Sequence, residues 1–281
     1  MSADIRIDAL LPPEMAKRAE YLGVRKAEAK ISAMFSLAVL AGIFIALGAM
    51  FATTVSAGAS GVLPYGVTRL LVGFVFCLGL ILVVVGGAEL FTGNNLIVMA
   101  WAGGKVSTRA MLRNWVVVYA GNFVGSLATA ILVVFSKQYT FGGGAVGQSM
   151  LNIAIGKIHF GFFQALALGV LCNMLVCLAV WMTFSARSTI DKILAVIFPI
   201  SAFVAGGFEH SVANMYFIPL GLFIKVFDPA FTASTQINVS DLTWSAFLIN
   251  NLLPVTIGNI IGGGVLVAAV YWAVFLRHSE A

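Results

Sequence analysis

The sequence predicts an all-α membrane protein in which six transmembrane helices form two inverted repeats of three helices each. Three observations support this fold class. Of the 281 residues, 60% are hydrophobic and only 10% are charged, whereas a soluble domain has about 25% charged residues. Long uncharged stretches recur along the chain, and a short motif of the first half returns in the second half.

The composition also limits the function. A chain with so few charged residues cannot cover a water-facing surface, which excludes an ordinary soluble enzyme. The 16 lysine and arginine residues outnumber the 11 acidic residues, but they punctuate apolar runs and form no stripe that would bind nucleic acid. The three cysteines lie inside apolar stretches, without the spacing of a metal site or a disulfide framework. We therefore expect no cofactor, no metal and no nucleic-acid partner.

The N-terminal segment, residues 1–30, carries eleven charges and lacks the apolar core of a signal peptide. Pro13 suits the first turn of a helix, and Met15, Ala19 and Leu22 fall roughly on one face of that helix. The segment is therefore predicted to be a cytoplasmic amphipathic helix along the membrane surface. Two roles remain open for it: a solvated anchor, or a cover over a cytoplasmic mouth.

Six stretches are long enough to cross a bilayer core, which takes about 20 residues. Two of them contain a single acidic residue each, Glu89 and Glu209. The uncharged stretch 138–156 is rich in glycine and is predicted to be a loop. The transmembrane domain is expected over residues 31–276, with a short cytoplasmic tail at 277–281. The predicted spans lie within residues 31–68, 70–104, 114–136, 158–186, 193–224 and 242–276.

The basic residues predict the orientation of these spans. Twelve of them lie in the N-terminal segment, in the connections after the second and fourth spans, or after the sixth span. Only Arg69, Lys137, Lys157 and Lys225 lie on the opposite side. Because cytoplasmic loops carry the excess of lysine and arginine, both termini are expected in the cytoplasm.

The two halves of the chain share motifs. Residues 87–94 (GAELFTGN) align with residues 207–214 (GFEHSVAN) at an offset of 120, and a Gly-Asn pair at 121–122 returns at 258–259. Three spans per half is an odd number, so the second copy must run inverted. The spans that hold the first motif are 35 and 32 residues long. The second and fifth helices are therefore predicted to be broken at the membrane midplane, and two tilted or kinked helices are the alternative.

Several polar residues inside the predicted spans are candidates for a site. Glu89 has no basic neighbour in the sequence and is interpreted as a structural hydrogen-bond acceptor. Glu209 precedes His210, the only histidine well inside a predicted span rather than at its edge. An imidazole that titrates near neutral pH points to a working group, and the adjacent carboxylate could orient its ring. Asn173 and Asn259 either join helices or line a pore.

Three segments carry a resemblance to a known family. GAELFTGN at 87–94, GFEHSVANM at 207–215 and PVTIGNIIGGG at 254–264 resemble signature segments of the formate/nitrite transporter family. The similarity covers nearly the whole chain and is greatest to the formate channel branch. The resemblance implies an aquaporin-like protomer and a homopentamer with one pore in each protomer. It also implies formate as the substrate, membrane lipid as the surroundings, and the bacterial inner membrane as the location.

The resemblance further implies roles for particular side chains. Thr92 and His210 are expected to face each other at the central site, beside Glu209. Lys157, Asn173 and Asn259 match positions that guide or bind the anion, although Lys157 by itself would also suit an interfacial anchor. Two apolar constrictions are implied, with Phe76, Leu80 and Phe203 on the cytoplasmic side and Leu90, Phe91, Val176 and Phe208 on the periplasmic side.

The sequence thus predicts a pH-dependent channel for formate, with proton coupling through His210. A nitrite or hydrosulfide channel is the alternative within the same family. An enzyme is not expected, because an intramembrane serine protease needs a serine and a histidine in contact, and His210 and Ser211 are merely adjacent. An aquaporin proper should show paired Asn-Pro-Ala loops, which are absent.

Overall fold

The structure is a computed structural model that describes residues 10–277. The predictions for residues 1–9 and 278–281 lie outside these described residues. Between 10 and 277 the chain forms helices and the turns between them, without a β-strand, which confirms the all-α class. The helices are α1 (Pro12–Glu28), α2 (Ile31–Ser56), α3 (Tyr65–Gly86), α4 (Val98–Ala102), α5 (Thr108–Phe135), α6 (Ala145–Ile158), α7 (Phe162–Thr183), α8 (Thr189–Ala205), α9 (Ser211–Phe227), α10 (Pro229–Ser234) and α11 (Ala246–Phe275).

In the described part of the chain, five helices are long and apolar enough to cross a bilayer: α2, α3, α5, α7 and α11. The predicted fifth span is divided between α8 and α9, which have 17 residues each. Helix α11 contains two stretches of π-helical turns, at Ala246–Leu252 and Ile261–Ala269. Several helices are thus long and apolar enough to lie across a membrane.

Short non-helical segments divide the second and fifth predicted spans. Residues 87–92 separate α3 from a 3₁₀ turn at Gly93–Ile97, and residues 206–210 separate α8 from α9. Gly87 and Gly207 each follow the preceding helix with φ angles of 73° and 74°. Glycine enters this left-handed region without the Cβ clash that other residues meet, so glycine at these two positions has a backbone reason.

Packing joins the two halves into one core. Helix α2 packs against α3 and α5, and α7 packs in the same way against α8 and α11. Helix α3 also packs on α8, and α5 packs on α9. One apolar cluster therefore runs through both halves and surrounds the two non-helical segments.

The predicted loop at 138–156 is largely helical, and this corrects the sequence analysis. Helix α6 occupies Ala145–Ile158 and packs against α9. Its glycines lower helix propensity, but Val146, Met150 and Leu151 form a buried apolar face. Burial of that face outweighs the weak local preference.

Helix α1 docks on the protein through its apolar face. Ala16 and Ala19 are buried, and the helix packs against the 3₁₀ turn and α4. The carboxylate of Glu20 accepts a hydrogen bond from Lys105 Nζ at 2.5 Å. The face that the sequence analysis assigned to the membrane surface is therefore in contact with the rest of the chain.

Candidate functional site

The two non-helical segments meet at a contact between Thr92 and His210. Thr92 Oγ1 lies 3.0 Å from His210 Nε2, and both residues are buried. His210 is also the N-cap of α9, where its Nδ1 accepts a hydrogen bond from the backbone N–H of Ala213 at 3.1 Å. A ring nitrogen that accepts a hydrogen bond carries no proton. This geometry favours a neutral imidazole whose Nε2–H donates to the hydroxyl of Thr92.

The carboxylate of Glu209 lies within a set of three donors. Lys157 Nζ donates to Oε1 at 2.6 Å, and the side-chain amides of Asn214 and Asn251 donate to Oε2 at 2.7 and 3.1 Å. Glu209 therefore does not orient the imidazole of His210, as the sequence analysis had suggested. The hydroxyl of Thr92 and the backbone of α9 hold that ring instead.

Lys157, which pairs with Glu209, belongs to α6 and not to the edge of the fourth predicted span. Lys157 lies in the last turn of α6, and its side chain is only 16% exposed. Its ammonium group also lies 5.4 Å from the centre of the Phe217 ring. A mainly buried lysine paired with a carboxylate is not a snorkelling anchor, so this alternative is not supported by the geometry.

Glu89 has a basic partner that the sequence analysis missed. Lys26 of α1 donates to Glu89 Oε1 at 2.8 Å and to Asn94 Oδ1 at 3.0 Å. The amide of Asn94 in turn donates to Glu89 Oε2 at 2.7 Å. The lysine stands 63 residues before the glutamate in the chain. Only the docking of α1 brings the two charges together.

One further asparagine in each half, Asn114 or Asn251, makes matching contacts. Asn114 Nδ2 donates to the backbone carbonyl of Lys26 at 3.0 Å, and Asn251 Nδ2 donates to the carbonyl of Lys157 at 2.8 Å. The Oδ1 atoms of both accept a hydrogen bond from the asparagine five residues after the glutamate, at 2.9 and 2.7 Å. The same network of lysine, glutamate and asparagines therefore occurs twice.

Matching residue types at separations of 120 to 137 residues could have revealed this second half of the site. The lysines are 131 residues apart, the asparagines that follow the glutamates 120, and the asparagines of α5 and α11 137. The alignment of residues 87–94 with 207–214 pairs the two glutamates, but it does not include the lysines or the asparagines of α5 and α11. The residues that it did not assign to the site are Lys26, Asn94, Asn114, Asn122, Asn214 and Asn251.

Asn173 and Asn259 lie behind the non-helical segments. Asn173 Nδ2 donates to the carbonyls of Thr92 and Asn259, at 3.2 and 2.7 Å, and to Asn95 Oδ1 at 2.8 Å. Both residues are fully buried, and neither lines a cavity that reaches the central contact. Of the two interpretations of these asparagines, the geometry favours the joining of helices over the lining of a pore, since Asn173 and Asn259 link α7 to α11.

Two cavities of about 420 Å³ each approach the Thr92–His210 contact. The Lys157 cavity lies at the end of α2 and the start of α3, and its polar lining includes Arg69, Lys157, Glu209 and His210. The Lys26 cavity lies between the C-terminal half of α1 and the end of α3. Its charged lining consists of Arg18, Arg25, Lys26, Glu89 and Lys192. The cavities therefore lie at opposite ends of α3.

Apolar side chains close each cavity toward the centre. The rings of Phe76 and Phe203 meet edge to face with centroids 5.6 Å apart, and both line the Lys157 cavity together with Phe208. Leu80 and Leu90 line the Lys26 cavity. Phe76 and Leu80, on successive turns of α3, therefore line different cavities, and their grouping with Phe203 in one constriction stays a prediction.

The other two predicted constriction residues lie elsewhere. Phe91 lines a separate apolar cavity of about 530 Å³ between α5 and α11. Val176 is buried and lines neither of the cavities next to the central contact. Within residues 10–277 no group of three histidine, cysteine or acidic side chains could hold a metal ion.

Comparisons with known proteins agree with the resemblance found in the sequence motifs. The model of the family described as "Formate/nitrite transporter" matches residues 13–273. The chain is 46% identical to the formate channel FocA of Escherichia coli (strain K12), over 100% of this chain and 99% of that protein. It is 38% identical to a probable formate transporter of Methanothermobacter thermautotrophicus, over 95% of this chain and 97% of that protein.

Solved structures agree with the sequence comparisons. A pentameric formate channel with formate bound matches with a TM-score of 0.82 and 48% identity, covering 88% of this chain and 98% of that one. An ion channel of the FNT family matches with a TM-score of 0.77 and 29% identity, covering 92% and 98%. The doubled site and these full-length similarities agree, and the chain belongs to the formate/nitrite transporter family.

Proposed function

We propose that this protein is a channel for formate in the bacterial inner membrane, assembled as a homopentamer with one pore in each protomer. The relatives named as formate channels and the pentameric structure with bound formate support the substrate and the assembly. The observation that carries the proposal is the Thr92–His210 contact between two cavities, each with a Lys–Glu pair. An anion could enter from either end and would meet a Lys–Glu pair there.

The proposed architecture has six spans in two inverted repeats. Each repeat starts with a short helix, α1 or α6, and continues with one unbroken span, one span broken near the midplane, and a third span. The repeated Lys–Glu–Asn network supports this arrangement, because matching contacts in the two halves are expected when two copies share one fold. We place both termini in the cytoplasm on the distribution of basic residues.

The charge pattern suggests how an anion would reach the centre. In the Lys157 cavity the ammonium group attracts small anions, and the rings of Phe76 and Phe203 then remove their water. An unpaired formate ion in such an apolar ring would be costly unless it is hydrogen-bonded. His210 Nε2–H and the hydroxyl of Thr92 are the donors that could receive it there.

Proton coupling would require a change at His210. Formate becomes neutral formic acid only if the ring arrives with a second proton, which must sit on Nδ1. That nitrogen accepts the Ala213 N–H, so this hydrogen bond must open before the ring can be charged. We propose that the ring takes a second proton on Nδ1 from water in the Lys157 cavity, that the entering anion stabilises the charged ring, and that formate takes the Nε2 proton and becomes formic acid. The ring regains its bond with α9 once Nδ1 has released its proton to water and Nε2 has taken one up.

Flux into liposomes that hold the purified protein tests this function. Labelled formate is expected to equilibrate rapidly, chloride slowly, and empty liposomes should pass neither. A His210→Phe variant, which fills the centre with an apolar ring, serves as the matched blocked control. Faster passage of nitrite or hydrosulfide than of formate would replace the proposed substrate with the alternative from the same family. Equal leakage through the blocked variant would contradict the path through Thr92 and His210.

A further inference from the structure

The Lys26 cavity carries an excess of positive charge that formate passage does not require. Three cations of α1 line it, Arg18, Arg25 and Lys26, and Lys192 of α8 lines it too. Glu89 is the only carboxylate among the described residues of its lining, and it is paired with Lys26. Three positive charges therefore remain without a partner carboxylate in the wall of this cavity.

These three side chains are available for a ligand. Within residues 10–277, Arg18 and Lys192 make no side-chain hydrogen bond or ion pair. Arg25 reaches only the ring and hydroxyl of Tyr21, at 6.0 Å from the ring centre and 3.4 Å from Oη. Among the residues that the structure describes, none of the three therefore forms an ion pair with an acidic group.

The position of Lys192 in its helix does not favour a positive charge, so the lysine does not stabilise that helix through its charge. It lies in the first turn of α8, where the helix dipole favours negative charge. The adjacent Asp191 caps this helix, since its carboxylate accepts the backbone N–H groups of Ser188 and Arg187 at 2.9 and 3.0 Å. These hydrogen bonds hold the pKa of Asp191 below its usual range, so the carboxylate stays engaged with the helix end.

The opposite cavity lacks this excess. Its two cations are Arg69 and Lys157, and Lys157 is paired with Glu209. Arg69 donates to the backbone carbonyls of Val204 and Ala205, at the C-terminal end of α8. Both cations of the Lys157 cavity thus have partners within the fold, although the two cavities have the same volume of about 420 Å³.

We propose that the Lys26 cavity is a binding site for small anions that carry two or more negative charges, of the phosphate or pyrophosphate class. A divalent anion gains about twice the attraction of formate from the same cations. Its desolvation penalty rises more steeply with charge, and the floor of the cavity is formed by Leu80, Val83 and Leu90. Such an anion is therefore held at the mouth and does not cross.

A bound anion at this mouth blocks formate passage from the side of α1. This consequence rests on the proposed function, whereas the binding itself does not. The block makes formate flux depend on the concentration of polyvalent anions on that side. It acts by occupancy of the cavity and requires no movement of α1.

Calorimetric titration of the purified protein in detergent with pyrophosphate tests the site without any transport. We expect saturable binding that weakens by about tenfold or more in the double variant Arg18→Gln, Lys192→Gln. Arg109→Gln is the matched control, because Arg109 is exposed and lies outside the cavity. Acetate should give no saturable heat. Absence of pyrophosphate binding, or equal weakening by Arg109→Gln, would overturn the proposal.

The block is tested by formate flux with pyrophosphate on both sides of the liposome membrane, which removes any dependence on orientation. We expect slower flux in the wild type and little inhibition in the double variant. Undiminished flux through a protein that binds pyrophosphate would overturn the block. If the wild type passes no formate even without pyrophosphate, the proposed function fails, and the calorimetric result decides the anion site on its own.

Discussion

Asn122 and Asn259 make the same three hydrogen bonds, although 137 residues separate them. Each Nδ2 donates to a carbonyl of the preceding unbroken helix, at 2.8 Å in both halves, and to the carbonyl of the glutamate, at 2.9 and 3.0 Å. Each Oδ1 accepts a backbone N–H two residues after that glutamate, at 2.9 Å. These asparagines supply the partners that non-helical backbone needs when no water is present.

Replacing either asparagine should therefore destabilise the fold to a similar extent. Asn122→Ala and Asn259→Ala each leave buried backbone groups unpaired, at a cost of about 2–4 kcal/mol in total. Thermal unfolding of the detergent-solubilised protein measures this. Asn238→Ala, at an exposed turn, is the control and should melt like the wild type. If only one of the two buried variants is destabilised, the two networks are not equivalent in energy.

Replacing His210 with a side chain of similar shape that cannot take up a proton tests whether His210 titrates during transport. His210→Asn retains a hydrogen-bond donor but cannot titrate. We expect the variant to remain assembled and formate flux to vary less than about twofold between about pH 5 and pH 8, where an unperturbed histidine changes charge. Flux into liposomes across this range gives the profile. A wild-type rate and pH profile in this variant would rule out proton donation by His210.

Lys157 has two roles that a pair of variants can separate. Lys157→Gln removes the attraction for anions and also leaves Glu209, which is 3% exposed, without its cation. We expect a loss of about 3 kcal/mol in stability and slower formate entry, with the defect in entry larger at low salt. The double variant Lys157→Gln, Glu209→Gln should regain stability but not rapid entry.

The loss of stability is measured by thermal unfolding, and the slower entry is measured as the initial formate flux at several salt concentrations. Lys137→Gln, an exposed lysine outside the cavity, should change neither measurement. If the double variant restores rapid entry as well, Lys157 acts through the position of Glu209 and not through its charge on the anion.

Deletion of residues 1–28 should destabilise the protein. The sequence alone suggested a removable anchor or gate, but Lys26 is the cation of Glu89, and Ala16 and Ala19 are buried in the core. Leaving the Glu89 carboxylate without its partner is expected to cost about 3 kcal/mol or more. Thermal unfolding and the pentamer-to-monomer ratio measure the effect. A truncated protein that melts at the wild-type temperature would return α1 to the role of an anchor.

Hydrophobic patterning was sufficient to predict the fold class from the sequence. Uncharged runs of about 20 residues or more are long enough to cross a bilayer whatever their tertiary contacts, and the alignment of 87–94 with 207–214 located both interrupted segments. Local composition also singled out His210 and Glu209, because a titratable group within an apolar run is costly and is usually there for function. These predictions depend on local composition and spacing alone.

Only the tertiary structure decided which groups meet. Lys26 reaches Glu89 because α1 docks on α4, and Lys157 reaches Glu209 because a glycine-rich segment buries an apolar face and becomes α6. The sequence could not assign Phe76 and Leu80 to different cavities, since both face the protein interior on α3. Ion pairs and hydrogen bonds between residues far apart in the chain form only after packing brings the helices together, so periodicity within one helix does not encode them.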